Sequence, residues 1–279
     1  MEKYLVKVKH IVPTLIYMLI GTIGITMLAR WITFQTNILE LKESIWSIWI
    51  PLILPWIPII IWLRPRLRIL IRKKESDKLQ FFFQFITWFA LGIPLFISQA
   101  YLNTALGEMA NINNVEEISA HPKAVYYTIK DFVVVPKFGT SAEDVRASGK
   151  YNEHLEINLY FTLPIANVKD SVSLMPKYPC WYGVKYHRQI SNKISPDEKE
   201  AKYQEFYKEC IDKMRNYKYH DLKYFRRLPK SDDRDGFLKA IGRFFKGPPP
   251  AQTMILEPKT DSFEDRNGNK LAWTFGSMA

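Results

Sequence analysis

Three stretches within the first hundred residues carry no charge and few polar side chains; beyond them the chain breaks into short alternating runs. The first stretch is 11–29, "IVPTLIYMLIGTIGITMLA". Its length is close to the ~20 residues needed to cross a bilayer core. Lys7, Lys9 and His10 precede it and Arg30 follows, while Tyr17 and Trp31 suit the membrane–water interface. A signal peptide would have a shorter apolar segment ending at small residues. No A-x-A site follows here, which favours a retained helix. The second stretch, 45–63, "IWSIWIPLILPWIPIIIWL", holds Pro51, Pro55 and Pro58. Each proline removes a helix hydrogen bond. The pattern predicts a kinked span or a helix that starts near Pro51, with neighbours satisfying the freed carbonyls. The third, 81–102, "FFFQFITWFALGIPLFISQAYL", has Gln84 and Gln99 near its ends and Gly92 and Pro94 at an expected bend.

Between the second and third stretches lies "RPRLRILIRKK", in which Arg64, Arg66, Arg68, Arg72, Lys73 and Lys74 form a basic cluster. By the positive-inside rule the loop 64–80 is cytoplasmic, and its alternation of Arg and Leu suits contact with anionic lipid. Alternation then places the N-terminus inside, 33–44 outside and 103–270 outside. The tail 271–279 is again apolar and uncharged, and is expected to be the start of a truncated fourth span. A short amphipathic segment lying on the surface is the other reading of that tail.

The region 103–270 reads as an extracytoplasmic α+β domain with a mainly antiparallel sheet and one or two helices on a face. Residues 124–135 are β-branched and aromatic and predict a strand. Residues 153–165 alternate with period two and predict a half-buried strand. Residues 180–191 predict a third, and 219–228 a further one. "GTSAEDVRASGK" reads as a polar loop, and "TMILEP" as an edge strand. Ser195, Pro196 and Glu198 form a capping box that opens a helix. Tyr203, Tyr207, Cys210, Met214 and Tyr217 follow at alternating spacings of four and three and make its core stripe. A second helix, over "DDRDGFLKAIGRFF", turns Phe237, Ile241, Phe244 and Phe245 inward and ends at Gly247 and three prolines.

Composition alone, at 47% hydrophobic, does not distinguish this chain from a globular protein. Its charge distribution does. Of the net +11, residues 1–80 carry 12 Lys/Arg against 5 Asp/Glu, beside the apolar stretches. That favours the lipid bilayer as partner, and no nucleic-acid recognition motif is present. Cys180 and Cys210 form no CxxC, so they point to partly buried thiols or a single bridge.

Motif chemistry is sparse. His121, His154, His187 and His220 recur at intervals of 33, but their neighbours do not match. "SDDRDG" fails as a calcium loop because Ser231 and Gly242 occupy the first and twelfth positions; it reads as a helix cap. There is no GxSxG, Walker or GxGxxG motif. Ser277 has no His in an apolar run as partner. Catalytic, metal and cofactor sites are therefore all expected to be absent.

The order of "PLILPWIPIIIWLRPRLRIL", "FFFQFITWFALGIP", "YYTIKDFVV", "SGKYNEHLEINLYFTLPI", "GVKYHRQISN" and "NGNKLAWTFGS" resembles the N-terminal extension of a bacterial subgroup of rhomboid-family intramembrane serine proteases. The resemblance covers essentially the whole chain. It implies an inner-membrane protein whose present part positions transmembrane substrates or a partner beside a protease core. The family's GxSG serine and membrane-embedded histidine have no counterpart here: "FGSM" lacks the second glycine. Residue chemistry leaves a second reading open, a complete membrane-anchored ligand- or protein-binding sensor. A hydrolase on an anchor would need clustered acids or histidines for which no motif exists.

Overall fold

A computed structural model describes residues 2–36, 41–70, 76–168, 178 and 180–278. The chain divides into two compact units, Met1–Leu106 with Glu264–Ala279, and Gly107–Phe263.

In the first unit, three helical stretches are long and apolar enough to cross a membrane: Lys9–Thr36, Ile45–Leu67 and Asp77–Ala105. The first lies in helix α1 (Glu2–Thr36) and the third in helix α5 (Ser76–Ala105), both continuous through an internal proline. The second stretch is broken up by its three prolines. It consists of a π-helical turn at Ile45–Trp49, α2 (Ile50–Ile53), a turn at Leu54 and Pro55, α3 (Trp56–Pro58), a second π turn at Ile59–Leu63 and α4 (Arg64–Leu70). π turns accommodate a missing donor by shifting the ladder one residue. Beside the break, the Trp88 indole N–H of α5 donates to the Leu52 carbonyl at 2.7 Å. A neighbouring helix thus satisfies backbone that the prolines expose, as an apolar surround requires.

The basic stretch after the second span is not a loop along its whole length, because the helix runs on through Arg64, Arg66 and Arg68 to Leu70. Over 271–279, expected to be the start of a truncated fourth span, no membrane-length helix is seen among the described residues. Lys270–Gly276 forms a short helix, α8, of 7 residues. That length rises only about 10 Å, a third of a bilayer core.

The second unit is an α+β domain built on a mixed sheet of eight strands. These are β1 (Glu108–Asn114), β2 (Ala124–Asp131), β3 (Val133–Val134), β4 (Thr140–Ser148), β5 (His154–Ala166), β6 (Cys180–Ser191), β7 (Tyr224–Arg227) and β8 (Met254–Lys259). The order is β1-β2-β7-β8-β6-β5-β3, with β4 also paired to β5. β1 with β2 and β6 with β8 are parallel; the other pairings are antiparallel. The expectation of a mainly antiparallel sheet missed both parallel pairs. It also missed β1, whose asparagines carry no strand propensity, so that pairing alone makes it a strand.

Three further expectations are corrected. "GTSAEDVRASGK" is largely strand β4, held in register with β5 from Thr140 opposite Thr162 to Ser148 opposite His154. β8 is central rather than an edge. Its Pro258 lies beyond the residues paired with β6, where only β7 is a partner, so the missing N–H interrupts no second ladder. β5 is half-buried only at its start; from Leu159 to Ala166 every side chain is buried.

The last difference arises because helices cover both faces. α6 (Pro196–Arg215) packs Phe206, Cys210 and Met214 against Ile157, Leu159, Phe161 and Tyr182. α7 (Asp232–Phe245) packs Phe237 and Ile241 against Tyr160, Trp181 and Ile255. Alternation along β5 and β6 puts these two sets on opposite faces. The Ser195 capping box is formed, and Ser231 caps α7 by accepting from Arg234 N–H. Of the four phenylalanine and isoleucine positions expected inward on α7, Phe245 is 43% exposed and Ala240 is buried in addition.

α7 approaches the sheet closely because residue 236 has no side chain. A Cβ there would lie 2.4 Å from the Tyr160 ring. That ring cannot swing aside, since it is buried and its hydroxyl donates to Asp233 at 3.0 Å. Gly236→Ala is expected to destabilise the domain by about 1–3 kcal/mol through overpacking. Gly276→Ala, which meets nothing within 4 Å, should leave thermal unfolding unchanged. Near-UV circular dichroism melts of the two variants check this.

Candidate functional site

The densest polar constellation of the helical unit is buried between α1 and α5. On α1, Thr22, Thr26 and Arg30 recur every four residues and all are buried. The Thr26 hydroxyl turns inward on its own helix, donating to the Thr22 carbonyl at 2.7 Å. Arg30, only 9% exposed, reaches α5. Its guanidinium donates to the Gln99 carbonyl and to Gln99 Oε1, both at 2.9 Å, and to Asn103 Oδ1. Asn103 in turn donates to Ser47 Oγ at 3.0 Å on the second stretch, and the guanidinium lies 5.8 Å from the Trp46 ring centroid. One planar fork therefore joins all three helical stretches, a task for which arginine is better shaped than lysine. Gln99 is fully buried. Its Oε1 is fixed by Arg30, and its Nε2 has no partner among the described residues.

The same end of α5 receives the returning chain. Arg266 Nε donates to the Thr104 carbonyl and Lys270 Nζ to Thr104 Oγ1, each at 3.2 Å. At the other end, Gln80 Nε2 reaches the Arg64 carbonyl at 3.5 Å. From Gln80 to Gln99, as from Lys9 to Arg30, a helix rises about 30 Å. That is the thickness of a bilayer's hydrocarbon core.

In the sequence Arg30 and Gln99 stand only as flanks of apolar runs. The spacing of four between Thr22, Thr26 and Arg30, and between Gln99 and Asn103, is the signal the sequence offers. The basic cluster divides. Arg64 and Arg66 stand on α4, with Arg66 Nη1 donating to the Trp62 carbonyl at 2.7 Å. Arg68 lies on the same helix. Arg72, Lys73 and Lys74 fall outside the described residues.

The second unit holds both cysteines of the chain. Cys180 and Cys210 are free and buried, so burial raises both thiols, that of Cys210 to about 11. Such thiols are inert rather than nucleophilic. The Ser277 hydroxyl of the helical unit donates to the Thr274 carbonyl at 2.9 Å. Among the described residues no group of three His, Cys, Asp or Glu could hold a metal ion. The histidines stay separate: His187 faces Asn158, His154 faces Ser191, and His220 packs on Phe132. One surface network is well formed. Glu156 accepts from Ser148 Oγ and Gln189 Nε2, both at 2.7 Å, and pairs with His187 Nε2 at 2.6 Å. An open groove beside α6 is lined by Tyr186, Glu209, Lys213, Tyr217 and Asp221.

Comparison of the chain with protein-family models, with curated proteins and with solved structures finds no match.

Two outcomes are expected. Arg30→Ala should cost the helical unit about 1.5–3 kcal/mol, the scale of hydrogen bonds to a charged group. Arg30→Lys should recover only part of it, as read by thermal unfolding in detergent. The Glu156 carboxyl, held below its ordinary value of 4.5 by the Ser148 hydroxyl first and His187 second, should titrate below that value by NMR. A depressed folded pKa stabilises above the unfolded value, and the stabilisation is lost as pH falls through the folded one. Ser148→Ala should move the midpoint up.

Proposed function

We propose that the chain is the non-catalytic membrane and extracytoplasmic region of a rhomboid-like intramembrane serine protease, where it positions a transmembrane substrate or a partner protein. The observation that carries this reading is the return of the chain to the helical unit. After the α+β domain, Glu264–Ala279 group with Met1–Leu106, and Arg266 and Lys270 bond to the end of the third span. A folded domain inserted into a bundle of apolar helices suits a part that presents a substrate to a membrane-embedded core. The reading assigns the catalytic serine and histidine to residues outside this chain.

In this reading the N-terminus and the cluster Arg64, Arg66, Arg68, Arg72, Lys73 and Lys74 are cytoplasmic, with the cluster on anionic lipid. The domain faces out from the bacterial inner membrane. A second reading, a membrane-anchored sensor, is favoured by the open groove at Tyr186 and Tyr217.

Two experiments test these assignments. A reporter active only outside the cytoplasm should be active when fused at Asn192 and silent at Lys74; the reverse pattern would overturn the orientation. The coding frame 3′ of the Ala279 codon should run through a GxSG and a membrane-embedded histidine. A stop codon there would sink the protease reading and leave the sensor.

A further inference from the structure

The two ends of the sheet in the α+β domain differ in chemistry. Strand directions define them. β1 and β2 run parallel, β7 opposes β2, β8 opposes β7, β6 parallels β8 and β5 opposes β6. The starts of β1, β2, β6 and β8 and the end of β5 therefore share one end. That end carries Gly107, where the chain enters the domain directly from the third apolar helix. Gly107 is no loose joint. Its φ is +111°, and a Cβ there would lie 2.5 Å from Val125 Cβ of β2.

At this end an aromatic cluster reaches the surface. Phe244 packs edge-on against Trp181 at 5.2 Å and against Phe138 at 6.0 Å, and Phe245 lies 6.1 Å from Trp181. Phe138 is 38% exposed, Phe245 43% and Val168, just past the end of β5, 49%. Lysines accompany them. Lys137 lies 5.9 Å from the Phe138 ring centroid, and Lys246 follows Phe245 as an exposed residue with φ +51°. Lys123, beside the start of β2, is exposed as well. Among the described residues, the other large apolar side chains exposed on the domain, Val145 and Tyr151, lie on the β4–β5 hairpin at the opposite end.

We propose that Phe138, Val168 and Phe245, with Lys137 and Lys246 beside them, form a docking surface for a lipid bilayer carrying anionic headgroups. Aromatic and aliphatic side chains partition into the interfacial layer while neighbouring ammonium groups meet phosphates. Basic groups near a charged membrane surface add to that attraction. The proposal rests on the three helices crossing a bilayer. It does not depend on the protease reading.

The test uses the full chain in nanodiscs of phosphatidylglycerol and phosphatidylcholine, with single nitroxide labels. Both native cysteines are buried and do not compete for the label. A label at Phe245→Cys should be relaxed by oxygen more than by a water-soluble nickel chelate. One at Tyr151→Cys should show the reverse. A label at Tyr17→Cys, on the exposed face of α1, reports whether the span is in lipid. Lipid contact at 17 with water-like exposure at 245 would overturn this proposal alone; water-like exposure at 17 would overturn the membrane reading beneath it. In the unlabelled chain, hydrogen exchange of 136–138 and 244–247 should slow in discs rich in phosphatidylglycerol relative to pure phosphatidylcholine. Lys137→Glu with Lys246→Glu should abolish that difference. Equal exchange in the two lipids would count against the anionic surface.

Discussion

Helix α5 carries the hydrogen bonds that give the helical unit one arrangement. Arg30 of α1 ends on Gln99 and Asn103, Asn103 continues to Ser47, and Trp88 reaches back to Leu52. Thr104 receives Arg266 and Lys270 from the returning chain. Apolar side chains in an apolar surround supply no hydrophobic preference for one helix over another. Polar groups do, because each must find a partner within the protein. Met18, Ile59, Leu63 and Leu91 fill the space between the helices, while the polar bonds select the register.

The α+β domain is specified differently, by the burial of both faces of its sheet. β5 and β6 pair over twelve positions, from His154 opposite Ser191 to Ile165 opposite Cys180. Two small residues then let α7 settle onto the second face, Gly236 against Tyr160 and Gly183 under Phe237 and Ile255. α7 also closes the β4 edge: Arg243 donates to the Ser141 carbonyl at 2.6 Å, Lys239 to the Glu143 carbonyl at 3.1 Å and Thr140 Oγ1 to the Ala240 carbonyl at 2.8 Å. An edge strand blocked by cations does not recruit another chain. Electrostatics follow the packing. The Tyr160 hydroxyl, buried and facing Asp233, is held in its neutral form well above the ordinary tyrosine range.

These two principles assign the polar and reactive groups of the described residues largely to architecture. Buried thiols, capped hydroxyls and paired carboxylates hold shape. Two placements stand out: a guanidinium enclosed at the end of the apolar helices, and an aromatic surface beside Lys137 and Lys246 on the domain that follows them.

The sequence by itself determined the three apolar helices, because length without charge is a local property. It determined the helix beginning after Ser195, because a capping box is read from four consecutive residues. It also determined β6 from Cys180 to Ser191 and most of β5. It could not determine that β1 is a strand, since its asparagines take that form only by pairing with β2. Nor could it place β8 at the centre of the sheet or turn the basic stretch from Arg64 to Leu70 into helix. The candidate site shows the same division. Arg30, Gln99, Asn103 and Ser47 were visible as residues, but each sits on a different turn or helix. Only tertiary packing, which brings partners up to 73 positions apart within hydrogen-bonding reach, turned flanking polar residues into one buried cluster.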